Sequence, residues 1–242
     1  MACNQLFRIT KAALTDQPLL QKLLKTMPLQ TNLKNRSTLN EPLAPWRSPL
    51  ARALHRNRAA SSRYFQLATV RADGKPANRT VVFRGFLAET NQLMVVSDRR
   101  SEKHEHISHD AHAAACWYFT KTREQFRLSG QITSVTADTS KETLVIARQQ
   151  LWQTLSDSAR AQFTWPQPKA PRAEAAAFTS PADDQTPPPS FCLLLLDVEY
   201  VDHLMLRGDP QNRCIYRRTD MLDGQISPSQ EDQTWQVTSV NP

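Results

Sequence analysis

Cationic side chains stand beside and within segments that are otherwise apolar. Arg79 precedes the run Thr-Val-Val-Phe, and Arg84 follows it. A second group surrounds Ser101 and comprises Arg99, Arg100 and Lys103. Where a strand gives way to a helix, free backbone N–H groups and the helix dipole both attract anions. The residue types at this junction therefore predict a phosphate site, although each cation taken singly fits a solvated surface.

Four of the six histidines, His104, His106, His109 and His112, fall within nine residues. On a helix their side chains would point in widely different directions, and the run contains no His-Glu-x-x-His register. The cluster therefore predicts a solvated helix face, and we expect no metal.

The chain has 242 residues, of which 40% are hydrophobic, and a formal charge of +7. Residues 1–63 hold eleven Lys and Arg against Asp16 and Glu41, whereas residues 64–242 contain slightly more acidic than basic side chains. We therefore interpret residues 1–42 as a poorly ordered basic extension, with organelle targeting left open, and expect no nucleic-acid partner. No apolar run reaches the roughly 18 residues of a membrane span, so we expect no membrane partner.

Cys3, Cys116, Cys192 and Cys214 stand far apart, and three of them lie in apolar runs. Without a Cys-x-x-Cys pair, they predict reduced and mostly buried thiols in a cytoplasmic protein.

Hydrophobic periodicity predicts a mainly β domain over residues 43–242 with flanking helices. The predicted strands are 64–70, 79–86, 93–97, 113–119, 125–135, 191–197, 201–206, 214–216 and 235–240, with a hairpin at Asp73-Gly74 and a bend at Gly130. The predicted helices are 49–63 with Ser48 as N-cap, 101–111 capped by Asp98 or Ser101, 139–155 with a Thr139/Glu142 capping box, and 157–163. Residues 166–190 hold seven of the sixteen prolines and form a stiff connector. Five successive strands favour an antiparallel closed barrel, because closure removes exposed edges.

Four motifs in order give this chain a family resemblance. They are Ser-Arg-Tyr-Phe-Gln-Leu-Ala-Thr-Val, Asp-Gly-Lys-Pro-Ala-Asn-Arg-Thr-Val-Val-Phe-Arg-Gly-Phe, Val-Val-Ser-Asp-Arg-Arg-Ser-Glu-Lys and Arg-Glu-Gln-Phe-Arg-Leu-Ser-Gly. From about residue 45 to residue 242 the chain resembles the pyridoxamine 5'-phosphate oxidase-like FMN-binding split barrels, in the branch found in cyanobacteria and plants. The resemblance implies FMN, a homodimer with the flavin site at its interface, and hydride transfer from an amine or alcohol to flavin N5.

The resemblance also implies a set of flavin-binding residues. Arg79 would meet the flavin phosphate or ring, Arg84 stands where the oxidase has a lysine near flavin and substrate, and Gln125 would reach the ring. The full set is Arg79, Thr80, Val81, Val82, Arg84, Val96, Ser97, Arg100, Ser101, Lys103, Gln125 and Arg213. Strand alternation places Arg79 and Arg84 on opposite faces unless a bulge intervenes.

Other parts of the family pattern are missing. Glu102 stands where the oxidase has a phosphate-binding arginine, so Arg99 or Arg100 would have to supply that charge. The flavin-adjacent tryptophan is absent from residues 202–206, and Gly-Asp-Pro-Gln-Asn at 208–212 replaces the Arg-x-His substrate motif. The flavin half of the site is thus better preserved than the substrate half, and no catalytic residue is assigned.

Two alternatives remain open at this stage. The first is a flavin-binding protein without catalytic turnover, which the missing substrate motif favours. The second is a small barrel that binds nucleic acid through the consecutive aromatics Trp117, Tyr118 and Phe119. Strand alternation buries at least one of these aromatics, so we favour a core role for them.

Overall fold

The computed structural model describes residues 42–219 and 235–242 of the chain, so the predicted N-terminal extension lies outside the described residues apart from its last residue. One antiparallel sheet dominates, with strand order β3-β2-β1-β4-β5-β6-β7-β8 and a further pairing of β3 with β6. This extra pairing closes the first six strands into a barrel. The strands are β1 Tyr64–Val70, β2 Pro76–Phe86, β3 Leu93–Asp98, β4 His112–Phe119, β5 Glu124–Val135, β6 Phe191–Met205, β7 Asn212–Arg218 and β8 Trp235–Val240.

Within residues 42–219 and 235–242, four α-helices flank the barrel: α1 Arg47–Arg56, α2 Glu102–His109, α3 Glu142–Gln153 and α4 Asp157–Ala161. Short 3-10 turns occupy Ala60–Arg63 and Ala175–Phe178. No helix in the described part of the chain is long and apolar enough to cross a membrane.

The barrel interior is filled by alternate side chains of its strands. On β4, Trp117 and Phe119 are buried inside, whereas Tyr118 points outward and is 44% exposed. Phe83 packs edge-on against Trp117 with the ring centroids 5.0 Å apart. The burial of Trp117 and Phe119, two positions apart on the strand, confirms the predicted core role for these two aromatics.

Two glycines shape the sheet as predicted. Gly74 has a φ of +78° in the turn that joins β1 to β2, a conformation that glycine adopts without a Cβ penalty. At Gly130 the register of β5 against β6 shifts, and a Cβ built there would lie 1.9 Å from the carbonyl oxygen of Asp197. The bend of β5 therefore depends on close backbone approach.

A second apolar cluster lies between the barrel and α3. Trp152 of α3 meets Phe191 of β6 and Phe163, with centroid separations of 5.0 and 5.6 Å. Arg148 of α3 donates to the carbonyl of Phe191 and, at 2.8 Å, to that of Pro188. These contacts hold the end of the proline-rich connector against the barrel.

The helix starts differ from the predictions. α1 begins at Arg47 and ends at Arg56, with Trp46 rather than Ser48 at the N-cap. α3 begins at Glu142, and its N-cap is Lys141 without a side-chain cap bond. The predicted capping box is wrong because the hydroxyl of Thr139 instead accepts a hydrogen bond from the backbone of Thr136, within the preceding turn.

The predicted break at residues 198–200 is also wrong, since β6 runs unbroken from Phe191 to Met205. A β-bulge opposite Gly130 accommodates residues 198–200 of β6, so the strand twists at this point and continues.

The histidine run divides between two elements. His106 is buried on α2 with Nδ1 3.0 Å from Thr69 Oγ1, whereas His112 belongs to β4 and contacts Asp110. The single helix face assumed for all four histidines is therefore wrong.

Burial raises the pKa of the Cys192 thiol to about 11, as fits its predicted burial.

Candidate cofactor site

Two adjoining cavities lie beside β2, β3 and the start of α2. One of about 510 Å³ surrounds the N-terminus of α2, and one of about 500 Å³ separates the outer face of β2 and β3 from the residues after α3. Ser101, Lys103 and Pro168 line both cavities and so mark where they meet. Ten predicted residues line these two spaces. The second cavity is lined by Thr80, Val81, Val82, Arg84, Val96, Ser97, Ser101 and Lys103, and the first by Arg79 and Arg100 together with Ser101 and Lys103.

Lys103 is the cation at the junction of the two cavities. Its Nζ donates to Ser101 Oγ at 2.8 Å, and Ser101 in turn donates to the carbonyl of Asp98. Burial lowers the pKa of the Lys103 ammonium. No carboxylate within the described residues forms an ion pair with it, and the first N–H groups of α2 lie beside it. A partly desolvated ammonium next to a helix N-terminus is well suited to hold an anion.

Arg79 of β2 lines the first cavity. Its Nη1 donates to the carbonyl of Leu67 at 3.1 Å and to Thr69 Oγ1 at 2.8 Å, which fixes the guanidinium. Burial lowers the pKa of Arg79, as expected for a cation partly removed from water. The remaining donors of this side chain are available to a ligand.

The predicted alternation of Arg79 and Arg84 is confirmed. Arg79 shares the inward parity of Val81 and Phe83, while Arg84 shares the outward parity of Thr80 and lines the second cavity. The register shift of β2 against β3 lies beyond Phe83 and does not reverse this arrangement. Val81 points into the barrel core, so only its backbone can serve the cavity.

Arg99 and Arg100 are both engaged by carboxylates. Arg99 pairs with Asp138, and Arg100 makes a two-pronged contact with Asp98 through Nε and Nη2 at 3.0 and 2.7 Å. Arg100 Nη1 donates to the carbonyl of Trp165. Neither arginine is therefore free to supply the positive charge that the family's arginine provides at the position of Glu102.

The wall opposite the strands is uncharged and mostly apolar, with Gln162 as a polar member. Leu155, Ala159, Phe163 and Trp165 line it. The one cation of this stretch, Arg160, turns away to the carbonyl of Leu155 at 2.8 Å and to Asp157. The second cavity thus has a polar, cationic strand side and an uncharged far side.

Gln125 and Arg213 do not join this group. Gln125 lies on β5, which stands opposite β2 in the six-stranded ring, and Arg213 lies on β7 beyond it. Gln125, Leu204 and Arg213 are register neighbours across three adjacent strands. The predicted set is therefore divided between two distant faces of one chain.

A third cleft, of about 690 Å³, opens near Glu124 and Asn212 at one end of the barrel. None of the predicted cofactor residues lines it. Its size alone therefore does not make it the flavin site, because the convergent donors lie in the two smaller cavities.

The donors present suit FMN. The first cavity joins cations to a helix N-terminus, as a phosphate requires, and the second offers strand backbone and an apolar wall, as a flat ring requires. Each volume lies within the usual range for small-molecule sites.

Comparison with known proteins agrees with this geometry. Residues 43–136 match the family model described as pyridoxamine 5'-phosphate oxidase, FMN-binding domain. The chain is 34% identical over 203 residues to pyridoxine/pyridoxamine 5'-phosphate oxidase 2 of Arabidopsis thaliana, covering 83% of this chain and 98% of that protein. The chain belongs to the pyridoxamine 5'-phosphate oxidase family. It carries the FMN-binding domain of that family, as the sequence motifs predicted.

Solved structures of related proteins share the fold. A pyridoxamine 5'-phosphate oxidase-related, FMN binding protein from Nostoc punctiforme is 51% identical, with a TM-score of 0.75, covering 83% of this chain and all of that one. PhzG from Burkholderia lata is 16% identical with a TM-score of 0.63, covering 84% and 95%, and shows the fold alone. The FMN-binding split barrel expected from the sequence is therefore confirmed.

Sequence reasoning missed the apolar wall and the contacts of the connector. Arg100 and Trp165 are joined across 65 positions, and Gln167 reaches the Arg100 carbonyl from 67 positions away. No local pattern signals such contacts. The excess of proline predicted the connector at residues 166–190, but it did not predict that this connector borders the cofactor site.

Proposed function

We propose that this protein is an FMN-dependent oxidoreductase. The observation that carries the proposal is Lys103, a partly buried ammonium bonded to Ser101, at the junction of the two cavities. Lys103, Arg79 and the N-terminus of α2 would hold the FMN phosphate, which needs compensating charge. Thr80 and Val82 would offer backbone to the flavin ring. FMN, when bound, supplies a hydride acceptor at N5 and passes electrons to dioxygen or another acceptor.

The residues of this chain would orient the ring and exclude water. Arg84 stands on the strand side of the second cavity, where a cation favours negative charge on the reduced flavin. Leu155 and Phe163 close the far side and would keep solvent from the reacting face. The substrate would be an amine or alcohol whose C–H lies against the ring.

Gln125 and Arg213 would serve the flavin of a second copy. Their row on the outer face continues from Tyr118 on β4 to Val240 on β8, which are 44% and 40% exposed. Exposed apolar groups flanking polar anchors are typical of an interface. A homodimer with each flavin between two subunits would reunite the divided set.

Arg84 is the cation that faces the part of the second cavity left for a substrate. A phosphorylated substrate in the second cavity would meet Arg84 on the strand side, but no charged side chain among the lining residues of the far wall. We therefore expect the substrate to be held mainly by apolar contact and shape. A non-catalytic flavin protein is the second candidate, favoured by the missing Arg-x-His motif at residues 208–212.

The test uses the purified full-length chain with added FMN. Quenching of flavin fluorescence and a bound-flavin spectrum are expected, and absence of both would falsify the proposal. Anaerobic addition of pyridoxamine 5'-phosphate or of unphosphorylated amines then reports reduction as bleaching of the flavin band. Binding without bleaching by any amine or alcohol would support the non-catalytic candidate.

A further inference from the structure

The proline-rich connector crosses the N-terminus of α2. Gln167 Nε2 donates to the carbonyl of Arg100 at 3.1 Å, and Arg100 Nη1 donates to the carbonyl of Trp165 at 2.8 Å. Two residues farther on, Lys169 forms an ion pair with Glu102. These contacts place Lys169 in the lining of the cavity that also holds Arg79 and Lys103.

We infer that Lys169 completes the cofactor phosphate site by offsetting the charge of Glu102. The inference rests on the proposed function, because it concerns the same site. Glu102 is the first residue of α2, and an uncompensated carboxylate there would repel a phosphate bound to the helix N-terminus. Lys169 holds that carboxylate and brings a cation from a distant part of the chain.

The charges around the cavity show why this cation matters. Arg99 and Arg100 are offset by Asp138 and Asp98. Two further carboxylates, Glu102 and Glu105, line the cavity itself. If Lys169 is removed, the cations that line the cavity are equal in number to these carboxylates and the two aspartates together. With Lys169 in place the balance turns positive, as a dianionic phosphate requires.

The position of Lys169 is specific. Its φ of +66° is unusual for a residue with a Cβ, and the neighbouring Pro168 lines both cavities. The hydrogen bonds of Gln167 and Trp165 anchor the backbone just before it. The connector thus presents this lysine to α2 from a fixed path, although the lysine side chain itself is 69% exposed.

The experiment compares FMN with riboflavin, which lacks the phosphate, by quenching of flavin fluorescence in the full chain. Lys169→Gln is expected to weaken FMN about fivefold, in keeping with an exposed ion pair, and to leave riboflavin unchanged. Glu102→Gln should tighten FMN. Adding Glu102→Arg to Lys169→Gln should restore wild-type affinity, because a cation then stands on α2 itself. Lys141→Gln, an exposed lysine outside both cavities, is the matched control.

Two results would overturn the inference while FMN still binds the wild-type chain. The first is an unchanged FMN affinity in Lys169→Gln. The second is an equal loss for riboflavin, which would indicate a disturbed connector rather than a lost charge. Failure of the wild-type chain to bind FMN would instead overturn the proposed function, and this inference with it.

Discussion

Asp202 accepts two hydrogen bonds from Arg213, from Nε at 2.8 Å on one carboxylate oxygen and from Nη2 at 2.7 Å on the other. Arg127 of the neighbouring strand contacts the same carboxylate. Although Asp202 lies on the outer face of β6, it is only 2% exposed because the two arginines cover it. The guanidinium of Arg213, one of the predicted flavin contacts, is thereby held in a fixed plane.

Asp202→Asn should therefore destabilise the fold in a pH-dependent way. The hydrogen bonds from Arg213 hold the pKa of Asp202 below its usual value, so the native contact favours the ionised form. We expect the free energy of unfolding to fall by about 2 kcal/mol at pH 7. This difference is present above the ordinary aspartate pKa of about 3.9 and is lost as the pH falls through the lower folded value.

Urea unfolding of wild type and Asp202→Asn at a series of pH values measures this difference. A gap that stays constant down to strongly acidic pH would contradict the role of the ionised carboxylate. Asp184→Asn, at an exposed position, is the control and should change little.

Lys103 and Arg79 should control retention of FMN. Lys103→Ala and Arg79→Ala each remove a charge-assisted contact with the phosphate, and we expect FMN to bind about tenfold more weakly in each variant. Fluorescence titration at two salt concentrations measures the loss, which should be smaller for riboflavin. Lys141→Ala is the control, and wild-type affinity in both site variants would reject the assignment.

The proposed homodimer predicts complementation between variants. If each flavin lies between subunits, a chain with Arg79→Ala and Lys103→Ala should combine with a chain carrying Gln125→Ala and Arg213→Ala to give mixed dimers with one intact site. Mixed dimers isolated with two affinity tags should then bind about one FMN tightly, whereas neither parent does. A monomer by sedimentation, or mixed dimers no better than their parents, would rule out a shared site.

Substrate phosphate should contribute little to binding. The far wall of the second cavity, formed by Leu155, Ala159 and Phe163, has no charge to meet it. We expect pyridoxamine and pyridoxamine 5'-phosphate to perturb the flavin spectrum at concentrations within about tenfold of each other, because the phosphate gains at most one charged contact. A hundredfold preference for the phosphorylated compound would show that other groups, such as those of a partner subunit, hold the phosphate.

Gly130→Ala should be far more damaging than Gly74→Ala. The added Cβ at Gly130 would meet the backbone of Asp197 at 1.9 Å, so the pairing of β5 with β6 must shift, at a cost of about 3 kcal/mol. At Gly74 the Cβ meets nothing within 4 Å, and only the positive φ is unfavourable, at about 1 kcal/mol. Thermal or urea unfolding of both variants makes the comparison, and equal losses would refute the steric explanation.

Much of the barrel could be predicted because its signals are local. Residue pattern predicted the strand β4 and the burial of at least one of its aromatic side chains. It did not tell which face of the strand is inside, so the structure was needed to show that Trp117 is buried and Tyr118 exposed. Asp73-Gly74 marked a hairpin, and Gly130 marked a bend, since both conformations depend on the missing Cβ. Helix starts were less predictable, because Thr139 bonds within its own turn instead of capping α3.

The sequence by itself determined the family, the cofactor and most of the residues that gather at the N-terminus of α2. These residues are close along the chain or on adjacent strands, so their order and spacing carry the information. Tertiary structure alone decided that Arg99 is neutralised by Asp138, that Lys169 meets Glu102, and that Gln125 and Arg213 lie on another face. Those relationships join residues far apart in sequence, and closure of the barrel and the path of the connector determine them.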